Sequence, residues 1–318
     1  MRAPGFWQRD GVLPRALAPV ERLVAQAAAR RIARPGWQAP VPVICCGNAT
    51  VGGAGKTTLA LDLTNRLLAR GVAVHCLSRG YGGRVAGPWQ VHVGRDGAEA
   101  VGDEPLLLAA VAPTWVGRDR AASARAAVAA GAAALVMDDG LQHPGLVQDL
   151  ALLVVDGAVG FGNGRVLPAG PLRERLKAAA KRCHAAVLIG ADACGAAAAL
   201  PQHLPVLRAR LIGTAGFDGR RVLAFAGIAR PGKLGETLTA AGAVVVELRA
   251  FADHHVFRPV EVEQVLSEAR RLGAVAVTTA KDAVRLPPGF REQVEVAGVR
   301  IAWQNESRLE AMLRAAVP

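Results

Sequence analysis

Residues 41–58 read VPVICCGNATVGGAGKTT. An apolar run of strand length over 41–46 enters a glycine-rich turn, and a helical stretch over 57–70 follows. Strand, glycine turn and helix together make the setting in which backbone N–H groups cradle a polyphosphate. Glycine lets the amides turn inward, and the helix N-terminus adds the positive end of its dipole. In that setting Lys56 reaches the β- and γ-phosphates and the Thr57 hydroxyl ligates Mg2+. The candidate nucleotide-binding residues are therefore Thr50, Val51, Gly52, Gly53, Ala54, Gly55, Lys56, Thr57 and Thr58. The strict pattern of such loops places glycine where Thr50 stands. The alternative is a glycine-rich turn without a ligand. The coincidence of strand, glycines, lysine and threonine favours the nucleotide.

Beyond the loop the pattern repeats. Further strand-like runs lie at 72–77, 114–116, 132–137, 150–155 and 185–189, with helical stretches such as 105–111 and 121–130 between them. Apolar strands alternating with helices predict a mostly parallel sheet covered on both faces, with ligands at the carboxyl ends of the strands. A second series begins near Arg221. It places strands at 222–226, 243–248 and 274–278 and helices at 233–241 and 259–272. The stretch 211–219, with three glycines, is the expected boundary. The expected organisation is a segment 1–40, a domain 41–212 of the P-loop NTPase-like α/β class, and a smaller α/β domain 213–318.

Composition narrows the classes. Of 318 residues 52% are apolar and only 4% aromatic, which predicts an aliphatic core and argues against intrinsic disorder. Five cysteines at these spacings suit reduced thiols in a cytosolic protein better than a disulfide framework or a zinc site. The net charge of +12 points to an anionic partner. Residues 1–40 carry seven arginines (2, 9, 15, 22, 30, 31 and 34) against Asp10 and Glu21. Leu13, Leu17, Val20, Val24, Ala27 and Ala28 fall on one helical face, with Arg15, Arg22, Gln26 and Arg30 opposite. Phe6 and Trp7 add interfacial aromatics. Such a segment either lies in an anionic bilayer interface or packs on the domain with its arginines in water. No run of 18 apolar residues occurs, and the first residues are charged where a signal core would be apolar. The expectation is a protein in the cytosol or on a membrane face. With so few aromatics and no basic stripe, nucleic acid is not an expected partner.

Acidic groups close several strands. Asp138 and Asp139 end the run 132–137, where phosphate-loop proteins hold Mg2+. Gln142 and His143 follow, and Asp156 ends the next strand. Asp103 and Glu104 open a helix, where they need serve only as first-turn acids. FADHH at 251–255 and TTAKD at 278–282 follow strands of the second series. The basic loop RGYGGR at 79–84 suits a phosphate-bearing ligand, and the long irregular stretch 162–174 suits a functional loop.

Taken together and in order, GNATVGGAGKT at 47–57, SRGYGGR at 78–84, VGDEP at 101–105, DDGLQH at 138–143, FGNGRVLPAGPLRE at 161–174, FAGIARP at 225–231, FADHH at 251–255 and TTAKDAVRL at 278–286 resemble the tetraacyldisaccharide 4′-kinase family over nearly the whole chain. Thr50 belongs to that family's loop. The resemblance implies transfer of the γ-phosphoryl group of ATP to the 4′-hydroxyl of a tetraacylated glucosamine disaccharide 1-phosphate, giving lipid IVA. It also implies a monomer on the cytoplasmic face of the bacterial inner membrane, its N-terminal helix touching anionic lipid. On that resemblance the catalytic residues are Asp103 as base, paired with His254 (or His255), together with Lys56 and Asp139. Thr57, Asp138 and Asp139 hold Mg2+. Arg79, Tyr81, Arg120, Gln142 and Glu174 contact the acceptor or the transferring group. The chain departs from the family pattern at Thr58, Leu141, Pro144-Gly145, Gln148 and Arg175, none of which removes a group assigned above. The rivals are a GTPase-like accessory protein for cofactor assembly and a nucleotide-switched membrane-binding module.

Overall fold

The computed structural model describes residues 4–214 and 216–318. Met1, Arg2 and Ala3 of the expected N-terminal segment, and Ala215 of the expected boundary, lie outside the described residues. The N-terminal segment forms helices α1 (Val12–Ala16) and α2 (Ala18–Ile32), broken at Leu17. It is pinned to the long loop 161–174. Glu21 accepts from Val166 N at 3.0 Å and from Arg165 Nη1 at 3.2 Å, and Trp7 Nε1 donates to Pro168 O at 3.0 Å. Those bonds set which face turns inward. Pro14, Ala25 and Ala28 are buried, whereas Leu13 and Val20 of the expected apolar face are exposed, along with Val12 and Leu23. Trp7 is tucked against the domain.

The large sheet takes β1 (Val43–Gly47), β2 (Val74–Ser78), β3 (Trp89–Gln90), β4 (Thr114–Val116), β5 (Ala134–Asp138), β6 (Leu150–Asp156), β7 (Ala185–Ile189) and β8 (Val206–Gly213). Its connections carry α3 (Lys56–Ala69), α4 (Ala98–Val101), α5 (Asp103–Ala109), α6 (Arg120–Ala129), α7 (Leu176–Lys181) and α8 (Ala196–Ala199). Strands β1, β2 and β5 to β7 are buried throughout, which is why they read as unbroken apolar runs. One face packs on Ala25, Ala124, Ala127, Ala179 and Ala180. The other packs on Leu59, Leu63 and Leu67 of α3 and Leu108 of α5.

The smaller sheet takes β9 (Arg221–Ala226), β10 (Val244–Ala250), β11 (Val275–Thr279) and β12 (Glu295–Ala297), all parallel in the order β10-β9-β11-β12. Helices α9 (Gly232–Ala240), α10 (Pro259–Arg271) and α11 (Ala280–Ala283) connect its strands. Leu234 and Leu238 of α9 cover one face, and Val262, Val265 and Leu266 of α10 the other.

The chain then returns. β13 (Val299–Trp303) pairs antiparallel with β8 and closes the large sheet as β13-β8-β7-β6-β1-β5-β2-β4-β3. Helix α12 (Glu306–Ala316) packs Leu309 and Leu313 into the same core as α3. Trp303 and Glu310 bond to Asp62 and Arg66 of α3. The smaller unit is therefore an insertion ending near Ala297, and the expected span 213–318 is corrected at its C-terminal end. The reason is pairing: β8 offers an open edge, which β13 completes.

Candidate active site

Strands β1 and β6 are neighbours, and the chain leaves β1 toward β2 on one side and β6 toward β7 on the other. Such a switch point opens a crevice at the carboxyl ends of the strands. The loop after β1 crosses that crevice and enters α3 at Gly55, whose φ of +91° suits glycine. A Cβ there would also lie 2.9 Å from Ile189 Cδ1. Gly52 has φ +114°. Asn48, buried at the start of the loop, donates to Thr50 Oγ1 at 3.3 Å and to Gly52 O at 3.4 Å. Thr50, Val51, Gly52, Gly53, Ala54 and Gly55 thus line one turn, with Lys56, Thr57 and Thr58 opening the helix.

Lys56 and Thr57 are buried and meet the end of β5. Thr57 Oγ1 donates to Asp138 Oδ2 at 2.9 Å, and Lys56 Nζ lies 3.7 Å from Asp139 Oδ1. The adjacent carboxylates differ in state. Burial pushes Asp138 up to about 7, with Glu104 and Asp139 adding repulsion against the pull of Lys56, and its Oδ1 has no hydrogen-bond partner. Burial also acts on Asp139, but Lys56, Arg173 and Arg120 outweigh it and hold that carboxyl below its ordinary range. Asp139 sits at φ +53°, with both oxygens 2.9 Å from Arg173 Nη1.

Gln142 and Glu174 meet beneath the loop. Gln142 Nε2 donates to Asn48 O at 2.8 Å and Glu174 Oε1 at 3.0 Å, and Arg182 Nη2 donates to the same Glu174 oxygen at 2.7 Å. Glu174 Oε2 is buried without a partner. Arg120, 2% exposed, donates from Nη1 to Gly117 O and leaves Nε unpartnered. Burial pulls its guanidinium down to about 10 against the carboxylates of Asp139 and Asp138.

The second half of the cleft faces the first. Asp103 opens α5 and is 3% exposed. Gly102 precedes it at φ +90°, where a Cβ would sit 2.6 Å from Tyr81 O, so the loop around Tyr81 and the turn before α5 pack backbone to backbone. Across the cleft, at the end of β10, His254 Nδ1 lies 3.2 Å from Asp103 Oδ2. Tyr81 is exposed with its ring centroid 5.4 Å from that of His254, and Arg79 is exposed beside it. Burial works to raise Asp103, but His254, Lys281 and Arg285 hold it below its ordinary value. The bond to Asp103 lifts His254 against its burial. His255 turns away to Glu261 Oε2 at 2.9 Å. Lys281 Nζ bonds Glu104 Oε1 at 2.6 Å. Because Glu104 and Lys281 both act on Asp138, the two halves lie within electrostatic reach.

Arg173, Arg182 and Arg285 carried no assigned role in the sequence, and Lys281 only that of meeting an anion. Arg173 and Arg285 lie inside conspicuous motifs, but among 38 basic residues no single arginine stands out until a carboxylate is placed against it. Asp156 joins the two units through Lys233 Nζ at 2.5 Å and Arg230 Nη1 at 3.1 Å. Among the described residues no cluster of three or more His, Cys, Asp or Glu side chains forms a metal cage.

Fold and site define a two-sheet α/β protein whose polar cleft gathers the carboxyl ends of both sheets. The family model described as LpxK, Tetraacyldisaccharide-1-P 4'-kinase, matches residues 13–318, and the chain belongs to that family. A protein of Gluconacetobacter diazotrophicus called tetraacyldisaccharide 4'-kinase is 55% identical over 98% of this chain and 97% of its own length. One of Rhodospirillum rubrum with the same name is 52% identical over the same shares. A crystal structure described as the "apo" form of LpxK from Aquifex aeolicus in complex with ATP is 26% identical. It covers 96% of this chain and 100% of its own, with a TM-score of 0.77.

Proposed function

We propose that this chain is an ATP-dependent tetraacyldisaccharide 4'-kinase of lipid A biosynthesis, moving the γ-phosphoryl group of ATP to the 4′-hydroxyl of tetraacyldisaccharide 1-phosphate to form lipid IVA. Membership of the family supports the activity. The observation that carries the site reading is the meeting of Asp103 and His254 opposite the glycine-rich loop.

In this reading residues 50–58 form a phosphate loop, and Lys56 and the loop amides hold the β- and γ-phosphates. Thr57, Asp138 and Asp139 hold Mg2+. The unpartnered Asp138 Oδ1 and the raised Asp138 carboxyl fit a site that receives a cation, and few protein ligands suit Mg2+ arriving with the nucleotide. Bound there, Mg2+ neutralises charge on the phosphates. The acceptor hydroxyl attacks the γ-phosphorus, its proton passes to the Asp103–His254 pair, and the bond to the β-phosphate oxygen breaks to release ADP. Arg79, Tyr81, Arg120, Gln142 and Glu174 contact the acceptor or the transferring group. The free Nε of Arg120 and Oε2 of Glu174 support that assignment.

No described helix is long and apolar enough to cross a membrane. The proposal places the protein as a monomer at the cytoplasmic face of the inner membrane, segment 1–40 against anionic lipid. Val12 at 88% and Leu23 at 66% exposure, among exposed arginines, support it. A nucleotide switch or accessory GTPase would leave the Asp103–His254 pair without use.

Incubation with γ-labelled ATP and the disaccharide acceptor tests the activity. Label transfer is expected, and intact ATP binding without transfer overturns it. Asp103→Ala is expected to lower kcat at least about 10²-fold, and wild-type turnover removes Asp103 as the base. Deleting residues 1–34 is expected to weaken sedimentation with anionic vesicles, and unchanged binding refutes the membrane role.

A further inference from the structure

We infer that Arg285 is a positioning residue for phosphoryl transfer, its guanidinium holding the Asp103–His254 pair in register across the junction of the two units. The inference rests on the reading of that pair given above and adds a residue to it.

Arg285 follows α11, and its side chain is 5% exposed. It reaches the chain that follows three strands of the smaller sheet, β9, β10 and β11. Nη2 donates to Gly227 O, after β9, at 3.1 Å, and Nη1 to His255 O, after β10, at 3.1 Å. Nε donates to Lys281 O at 3.1 Å, and Nη2 also to Asp282 Oδ1 at 2.9 Å. Asp282 is fixed in turn, accepting from Gly227 N at 2.9 Å and Thr279 Oγ1 at 2.6 Å. From this frame Nε extends to 3.6 Å from Asp103 Oδ2 on the other unit.

The backbone of His254 makes the frame necessary. His254 sits at φ +56°, a conformation that strains a non-glycine residue and persists only where its surroundings impose it. Its N–H donates to Gly227 O at 3.0 Å, the carbonyl that Arg285 also grips, and Arg285 holds the carbonyl of the next residue. One side chain therefore fixes both the loop that presents the imidazole and the carboxylate that receives it. A rigid planar fork does this; a single ammonium would not.

Charge adds to geometry. The cations facing Asp103 are His254, Lys281 and Arg285, and the anions nearby are Glu104 and Asp282. Arg285 favours the ionised carboxylate and disfavours the imidazolium. Its removal raises both members of the pair, so the two effects move the acid limb of activity in one direction.

The test is the pH dependence of kcat for the full chain with ATP and tetraacyldisaccharide 1-phosphate, in wild type, Arg285→Gln, Arg285→Lys and Asp103→Asn. Arg285→Gln is expected to lower kcat about tenfold or more, to leave KM for ATP within about twofold, and to move the acid limb to higher pH. Arg285→Lys is expected to keep the limb near wild type while kcat still falls, because charge remains and the fork is lost. A kcat loss that follows only the folded fraction, with the limb unmoved, overturns the proposal. So does a limb moved equally by both variants. If the Gln variant does not fold, the Lys variant decides, and wild-type kcat there overturns the proposal. Asp103→Asn separates the two claims. Full turnover in that variant sinks the reading of the pair, whereas an inactive Asp103→Asn beside a wild-type profile in Arg285→Gln sinks Arg285 alone.

Discussion

The two sides of the cleft are built on opposite plans. On the large-sheet side Asn48, Arg120, Ser123, Asp138, His143 and Glu174 each keep a buried side-chain polar atom without a partner. On the smaller-sheet side, among the described residues, no buried side-chain polar atom is left unpaired, and Arg285, Asp282 and Thr279 are bonded to one another and to the strand ends. A buried unpaired group destabilises the empty protein by about 1–3 kcal/mol unless water or a ligand completes its bonding. A saturated network instead holds a shape. On the proposed reading the first side takes the charge that arrives with a substrate, and the second aims one imidazole at it.

The largest test of this contrast is Lys56→Ala. It removes the ammonium that lies 3.7 Å from Asp139 Oδ1, and steady-state assays are expected to show kcat lower by about 10³-fold. A loss under about tenfold would mean that the large-sheet side does not bear the phosphoryl charge.

Asp138→Asn sharpens the comparison by separating stability from function. The folded-state pKa of Asp138, about 7, lies above its ordinary 3.8. Ionisation therefore destabilises the ligand-free fold at every pH above the ordinary value, increasingly up to the folded one. The variant should lose activity yet melt about 2 °C or more higher than wild type at pH 8 without nucleotide, with the gain vanishing near pH 4. A lower melting temperature at pH 8 would show that the orphaned carboxylate is not a burden.

The smallest effect belongs to the pair across the cleft. Asp103 is depressed below 3.8, so its contribution is present above that value and lost as pH falls through the folded pKa. His254 is raised above 6.5, so its contribution is present below that value and lost as pH rises through the folded pKa. Both act between the two ordinary values. The stability deficit of Asp103→Asn, about 1 kcal/mol after allowance for solvent at His254, should be widest between about pH 4 and 6.5 in thermal unfolding and narrow above it. A deficit independent of pH would deny the ion pair.

The loop at 47–58, the alternation of strands and helices and the carboxylates ending at Asp138-Asp139 could be read from the chain because each is local. Burial on both faces makes a strand uniformly apolar, and a tight turn before a helix needs glycine whatever lies elsewhere. The likeness of ordered motifs carried Asp103 and His254, which periodicity alone would have left as a first-turn acid and one of two adjacent histidines. Tertiary structure alone decided the rest. It brought Asp103 to His254 across a sequence separation of 151, chose His254 over His255 by turning the latter to Glu261, and placed Arg173 on Asp139 and Arg285 beneath the pair. It also returned β13 to the large sheet and, of the expected N-terminal apolar face, buried Ala28 while leaving Leu13 and Val20 exposed and turning Ala25 inward. These are matters of pairing between distant groups, and a charge or an open sheet edge has no identifiable partner until the backbone brings one within a few ångströms.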